Sequence, residues 1–236
     1  MIYPASLIPG RLVKRYKRFL ADITLEDGTE ITAHCANTGS MLGVCEPGSE
    51  VWVSPANNPK RKLQFTWELV RAGDGLVGIN TGLANRIAEE AIAAGAIREL
   101  DGYGDIRREV KYGKNSRIDL LLSGDGKPKC YVEVKSVTLK REAIAEFPDA
   151  VTVRGAKHLA ELADQVRAGH RAVMLYVMQR GDADVFAIAA DIDPAYGAAL
   201  HAAMDAGVEA LCYRCRVDPN EIVIDGAVAI QAPGGP

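Results

Sequence analysis

Three side chains in the middle of the chain have the types and the spacing for phosphodiester chemistry: Asp119, Glu133 and Lys135. Successive side chains of an extended strand alternate between faces, so Arg117, Asp119 and Leu121 share one face, and Tyr131, Glu133 and Lys135 share a face of the next strand. The run Ser123-Gly124-Asp125-Gly126-Lys127-Pro128 between them is a turn, which makes the strands antiparallel neighbours and lets Asp119 and Glu133 converge. Two converging carboxylates repel unless a cation lies between them. Mg²⁺, with Mn²⁺ as the alternative, takes oxygen ligands of this kind and keeps several waters. A lysine two residues beyond the glutamate can orient such a water and stabilise charge building on a phosphate. The bland alternative is a surface strand pair with a cross-strand Glu and Lys.

Asp119 followed by Glu133-Val134-Lys135 resembles the PD-(D/E)xK nuclease superfamily, with Ile118 where that motif has proline. The resemblance implies a further carboxylate from the helix ahead of the hairpin. Glu90 fits that role, with Glu89 as the alternative and a solvated helix face as the competing reading. Downstream, Thr152 suits the N-cap of a helix whose first turns carry Arg154, Lys157 and His158. Cations there run against the preference of a helix N-terminus for negative charge, which a bound phosphate would reconcile. Otherwise they are three exposed polar residues.

These residues need a frame. Ile106 to Tyr112, Arg117 to Leu122 and Cys130 to Val137 read as strands, followed by an irregular stretch through Phe147-Pro148-Asp149. A helix from about Gly155 to Ala168, a buried strand Ala172 to Met178, a short strand Val185 to Ala189, a helix near Pro194 to Ala206 and a strand Ala210 to Val217 follow. A strand meander that passes into alternating helices and strands predicts a mixed sheet with helices on its faces. Ahead of it, Leu83, Ile87, Ala91 and Ile92 recur at helical spacing, and Gly95 stops the helix. Residues 8 to 80 break into short β segments at Leu12 to Leu25, Glu30 to Cys35, Glu50 to Ser54, Leu63 to Arg71 and Leu76 to Asn80. Five such strands suit a small barrel of the oligonucleotide-binding kind. The expected chain is therefore α/β (α+β): a barrel over 1–80 and a restriction-endonuclease-like sheet domain over 81–236, with a loose tail from Gln231 to Pro236.

The 236 residues, 48% apolar and 25% charged, are enough for two packed units. No apolar run approaches a membrane span and no secretory leader opens the sequence, which places the chain in the cytoplasm without membrane association. Five scattered cysteines fit free thiols in a reducing compartment. The net charge of −3 argues against coating nucleic acid by charge alone, but the acidic excess is all in the last quarter. Basic residues gather at Lys14, Arg15, Lys17 and Arg18, at Lys60, Arg61 and Lys62, and over 101–142. Interleaved with Tyr16, Phe19, Phe65 and Trp67, these cations could meet phosphates while rings stack on unpaired bases. For Trp67 a place in the barrel core is the equal alternative. Arg15, Lys17, Arg18, Lys60, Arg61, Lys62, Arg117, Arg154, Lys157 and His158 form the expected nucleic-acid surface.

Two other patterns carry no function. Gly73-x-Gly75-x-x-Gly78 matches a dinucleotide fingerprint by letter, yet no helix opens inside its glycines, so it reads as a hairpin turn. Cys212-x-x-Cys215 lacks a second pair, and strand alternation sends its thiols to opposite faces.

The runs His34-Cys35-Ala36-Asn37-Thr38-Gly39-Ser40-Met41, Asn58-Pro59-Lys60-Arg61-Lys62-Leu63, Thr66-Trp67-Glu68-Leu69-Val70, Ser116-Arg117-Ile118-Asp119, Tyr131 to Leu139 and Phe147 to Thr152, with Arg154-Gly155 and Lys157-His158, resemble the sugar fermentation stimulation protein A family across nearly the whole chain. Ala36 departs from the proline that many members carry. The resemblance implies an N-terminal barrel, a nuclease-like C-terminal domain, DNA binding without strong sequence preference and a bacterial link to sugar metabolism. Two functions compete. One is a Mg²⁺-dependent phosphodiesterase with Asp119 and Glu133 as metal ligands and Lys135 and Glu90 as catalytic partners. The other is a non-catalytic DNA-binding regulator of sugar (maltose) metabolism that keeps only the nuclease frame. The strandedness of the DNA and a homodimeric assembly stay open. An enzyme acting on sugars finds no support, since neither a phosphate-cradling glycine loop nor a nucleophile elbow is present.

Overall fold

A computed structural model describes residues 1–113 and 116–231. The expectation for the tail beyond Gln231 lies outside the described residues. The chain opens with β1 (Ile8–Tyr16), β2 (Leu20–Leu25) and β3 (Glu30–Cys35) as an antiparallel meander, and continues through β4 (Glu50–Pro55) and β5 (Phe65–Ala72). β4 pairs with both β1 and β5, and a short parallel pairing of His34 and Cys35 with Thr66 and Trp67 closes the sheet into a five-stranded barrel. The inward positions Leu12, Ile23, Val51 and Val53 follow strand alternation, and a register shift in the β4–β5 pairing brings both Trp67 and Val70 inward beside them. The single segment expected over Leu12 to Leu25 is in fact two strands. Lys17 and Arg18 take left-handed backbone conformations, φ 49° and 64°, and turn the chain sharply between them. Trp67 is fully buried and donates its indole N–H to the Leu69 carbonyl at 2.8 Å, so it is core and does not stack on bases.

β6 (Gly75–Gly78) returns along β5 through a tight turn at Gly73, φ +61°, as the glycine spacing required. It also bridges to the second domain, through Val77 to Arg180 and through the Gly78 N–H to the Gln179 carbonyl. Helix α1 (Ala84–Ala93) follows, then β7 (Asp105–Tyr112), β8 (Ser116–Ser123) and β9 (Cys130–Val137) as an antiparallel meander. β12 (Arg171–Met178) lies parallel to β9, β14 (Glu209–Val217) parallel to β12, and β15 (Ile222–Ala227) antiparallel at the edge. The sheet order is β15-β14-β12-β9-β8-β7, a mixed sheet with an antiparallel meander on one side and parallel strands at its centre. Helix α1 covers one face with Ile87, Ala88 and Ile92 over Leu120, Val132 and Leu175. Helices α2 (Val153–Arg167) and α3 (Pro194–Asp205) cover the other with Leu159, Leu162 and Leu200 over Leu121, Met174 and Tyr176. Sandwiched this way, β12 is apolar along nearly its whole length. Cys215 packs on the α1 side and Cys212 on the α2 side, and all five thiols are free.

The stretch read as irregular holds a hairpin, β10 (Leu139–Arg141) with β11 (Ile144–Phe147), which joins β13 (Val185–Ile188) and β16 (Ala229–Ile230) in a second small sheet. β10, β11 and β16, of two to four residues, show no apolar run or period of their own, unlike the equally short but more apolar β13, and so escape the sequence reading. Among the described residues no helix is long and apolar enough to cross a membrane.

Candidate active site

Ladder pairing between β8 and β9 runs from Leu122–Cys130 to Leu120–Val132 and then stops. Where the strands part, the carboxylate of Asp119 replaces a strand carbonyl: its Oδ2 accepts the Val134 N–H at 2.8 Å. Its Oδ1 accepts the Asn85 amide at 2.8 Å, from α1. Simple alternation breaks here, since Ile118 and Leu121 both pack on the α2 side while Leu120 packs on the α1 side. Asp119 therefore sits at the seam between the two faces instead of wholly on the face of Glu133.

Glu133 is buried, 2% exposed at its side chain. Its Oε1 accepts Lys135 Nζ at 2.7 Å and the Nδ1–H of His158, while Oε2 is buried without any hydrogen-bond partner. Burial pushes the Glu133 carboxyl up, but the hydrogen bond from His158 and the charge and bond of Lys135 outweigh it and hold the group below its ordinary value. Asp119 shifts the other way, raised first by burial and then by the charge of Glu133, with the Val134 N–H, Asn85 and Lys135 opposing. Asp119 and Glu133 are thus near enough for the charge of one to act on the other: the carboxylate of Asp119 bonds the N–H of Val134, the residue after Glu133.

An orphaned buried carboxylate oxygen beside a second, repelled carboxylate is a donor set for a hard divalent cation. Among the described residues no group of three or more His, Cys, Asp or Glu side chains is placed to hold a metal. The pair suits Mg²⁺ or Mn²⁺, which bind through one or two carboxylates with water and phosphate oxygens completing the shell. It does not suit a closed structural zinc site.

Glu90 does not join them. The amino-terminal ammonium group holds its Oε2 at 3.1 Å and Arg86 its Oε1 at 2.8 Å, and Glu89 pairs with Arg108. The α1 residue that reaches the hairpin is Asn85, one helical turn before Glu89. Its neutral side chain gave no signal to a search for carboxylates.

The expected nucleic-acid residues divide into three groups. Lys17, Arg18, Lys60, Arg61 and Lys62 lie on exposed turns of the barrel, and Arg154 is exposed on the first turn of α2. Arg117 is exposed and donates to the Glu109 carbonyl at 2.8 Å, and Lys157 is exposed within reach of Ser116 and Glu161. Arg15 and His158 have other work. Arg15 donates to the carbonyls of Arg18, Asn37 and Gly39 at 2.9 to 3.0 Å, which leaves it as a clamp on the barrel loop. His158 is 4% exposed, with Nδ1 on Glu133 and Nε2 accepting Arg154 Nε–H at 3.2 Å. Its polarity suggested a surface position, whereas its hydrogen bond to the buried Glu133 carries it into the core.

The clamped loop forms one wall of the site. Asn37, Thr38 and Gly39 face Asn85, Lys135 and Ser136 across a cleft of about 240 Å³ between barrel and sheet. A larger cavity, about 580 Å³ between α3 and β14, is walled mainly by apolar side chains such as Leu200, Met204 and Val228. The smaller cleft is the one that reaches the candidate site, since Asn85 and Lys135, the hydrogen-bond partners of Asp119 and Glu133, line it.

Residues 13–79 match the family model described as the SfsA N-terminal OB domain, and residues 82–221 the sugar fermentation stimulation protein RE domain. A sugar fermentation stimulation protein homolog of Paramagnetospirillum magneticum is 62% identical over 94% of each chain. One of Rhodospirillum rubrum is 56% identical over 99% of this chain and all of its own. The solved structure of Pyrococcus furiosus SfsA in complex with Ca²⁺ superposes with a TM-score of 0.90 at 26% identity, covering 98% of both chains. The chain belongs to the sugar fermentation stimulation protein family.

Proposed function

We propose that this family member is a divalent-metal-dependent phosphodiesterase acting on DNA with little sequence preference. The observation that carries the reading is the buried, unpartnered Oε2 of Glu133 close to the carboxylate of Asp119 at the parting of β8 and β9. A Ca²⁺ complex of the Pyrococcus furiosus relative supports it, because Ca²⁺ and Mg²⁺ share a preference for oxygen ligands.

Asp119 and Glu133 would hold the cation, which when bound neutralises phosphate charge and lowers the cost of activating water. Lys135, anchored on Glu133 Oε1 and lining the cleft, presents its ammonium group to the scissile phosphate and stabilises the charge that builds there. Asn85 fixes the rotamer of Asp119. The loop of Asn37 to Gly39 closes the barrel side of the cleft, so the nucleic-acid backbone runs between the two domains. Arg154 and the exposed barrel cations Lys17, Arg18, Lys60, Arg61 and Lys62 engage flanking phosphates, which carry affinity without base information.

Incubating the full chain with labelled single-stranded, duplex, flap and branched DNA in Mg²⁺ or Mn²⁺ tests the reading. Cleavage of at least one substrate, abolished by EDTA and by Asp119→Ala, is expected. Intact substrates throughout, with binding undiminished in EDTA, would instead identify a DNA-binding regulator built on the nuclease frame.

A further inference from the structure

We infer that His158 is a positioning residue for the metal site: it pins one oxygen of Glu133 so that the other is presented to the cation. The inference rests on the metal-site reading above and adds to it a residue whose sequence context suggested contact with DNA.

The bonding pattern excludes the other roles open to a histidine here. The ring is buried, which removes it from a phosphate backbone, and both nitrogens are occupied, which leaves no lone pair for a water. Arg154 Nε can only donate, so His158 Nε2 must accept, and the ring proton therefore lies on Nδ1. From there it can be given only to Glu133 Oε1. That oxygen then takes two donors, from His158 and Lys135, while Oε2 takes none. A carboxylate held by two donors on one oxygen cannot rotate freely.

Local structure fixes the far end of this relay. Thr152 caps α2 by accepting the Gly155 N–H at 3.1 Å, and Arg154 and His158 lie one turn apart on the helix so begun. Gly155 is required there: a Cβ would stand 2.9 Å from both the Thr152 methyl and the Tyr196 ring. The exposed Arg154 guanidinium thus sets the histidine tautomer, and the tautomer sets the carboxylate.

Isothermal titration of the full chain with MnCl₂, without DNA, tests this through three His158 variants and Arg154→Gln, with Glu133→Gln as the control. His158→Asn keeps an N–H near the Nδ1 position, and His158→Gln moves the amide toward Nε2. We expect Mn²⁺ affinity to fall about ten- to a hundredfold in His158→Ala and His158→Gln, the usual cost of losing an outer-shell partner. His158→Asn should restore it to within about threefold. Arg154→Gln, a surface change that leaves the core intact, should lower it by a few fold through the lost tautomer control. Wild-type affinity in all four overturns the inference, as does a His158→Asn variant that is folded by circular dichroism yet as weak as His158→Gln. Binding lost in Glu133→Gln but kept in His158→Ala refutes the positioning role alone. A wild-type chain that takes up no Mn²⁺ refutes the metal site with it.

Discussion

The Asp149 carboxylate accepts the Met41 N–H at 2.9 Å, tying the barrel loop that walls the cleft to the segment leading into α2. Ser40 Oγ donates to the Asp149 carbonyl at 2.5 Å beside it, and Arg15 holds the same loop from within the barrel. One loop is therefore held from both sides of the cleft, by Arg15 within the barrel and by the carboxylate and carbonyl of Asp149 opposite.

Loss of that carboxylate should loosen the wall more than the fold. Asp149→Ala removes a charge-assisted bond worth about 1.5–3 kcal/mol. Gly39→Ala attacks the same contact from the other side, because its Cβ would lie 2.6 Å from both Asp149 carboxylate oxygens. We expect each single variant to melt several degrees lower and to cleave more slowly. The double variant should be less destabilised than the sum, since Asp149→Ala vacates the space the new methyl needs. Strict additivity in thermal unfolding would show that the two residues do not share this contact.

A second tie between elements predicts the acid limb of stability. Burial raises the Asp182 carboxyl, but bonds from Arg180 at 2.6 Å and Lys140 at 3.0 Å outweigh it and hold the group down to about 2. A carboxyl depressed in the folded state stabilises it above its unfolded value, about 3.9, and loses that contribution as pH falls toward 2. Urea unfolding of wild type and Asp182→Asn should therefore show a constant gap favouring wild type above about pH 5. The gap should shrink between about pH 4 and pH 2. A gap that widens on acidification contradicts the assignment.

How far the sequence discloses this molecule depends on the signal each residue emits. The meander of β7, β8 and β9 was legible because apolar and polar positions alternate between marked turns, and β12 because an apolar run needs covering on both faces. Asp119, Glu133 and Lys135 were singled out by type and spacing, which said nothing of their relative placement. The twist at Ile118 to Leu121, which turns Asp119 toward α1, arises from strands parting, and period-two reasoning assumes that they stay paired. Glu90 was preferred on the sequence, with Glu89 as the alternative, and both are held by other cations, Glu90 by the Met1 ammonium group and Arg86 and Glu89 by Arg108. His158 and Arg15 were misassigned for a shared reason: a polar side chain reads as exposed until its buried partner is known.

The repulsion between the two carboxylates leads to a prediction that separates function from stability. Burial and the charge of Glu133 raise Asp119, so its ionised form at neutral pH costs folding energy. Asp119→Asn removes that charge and keeps the shape. Its oxygen can still accept the Val134 N–H, and a flipped Asn85 amide can accept from the new N–H₂. Relief of about 1 kcal/mol in a chain of this size raises the melting temperature by about 2–4 °C. Without metal, then, Asp119→Asn should melt above wild type, while cleavage disappears. Millimolar Mn²⁺ or Ca²⁺ should reverse the order, because a cation bound only by the native pair stabilises wild type by mass action and leaves the variant unmoved. Differential scanning calorimetry with EDTA and then with excess cation reads both halves. A metal-free variant that melts below wild type would mean that the carboxylates do not oppose one another, and the case for a cation between them would lose its electrostatic basis.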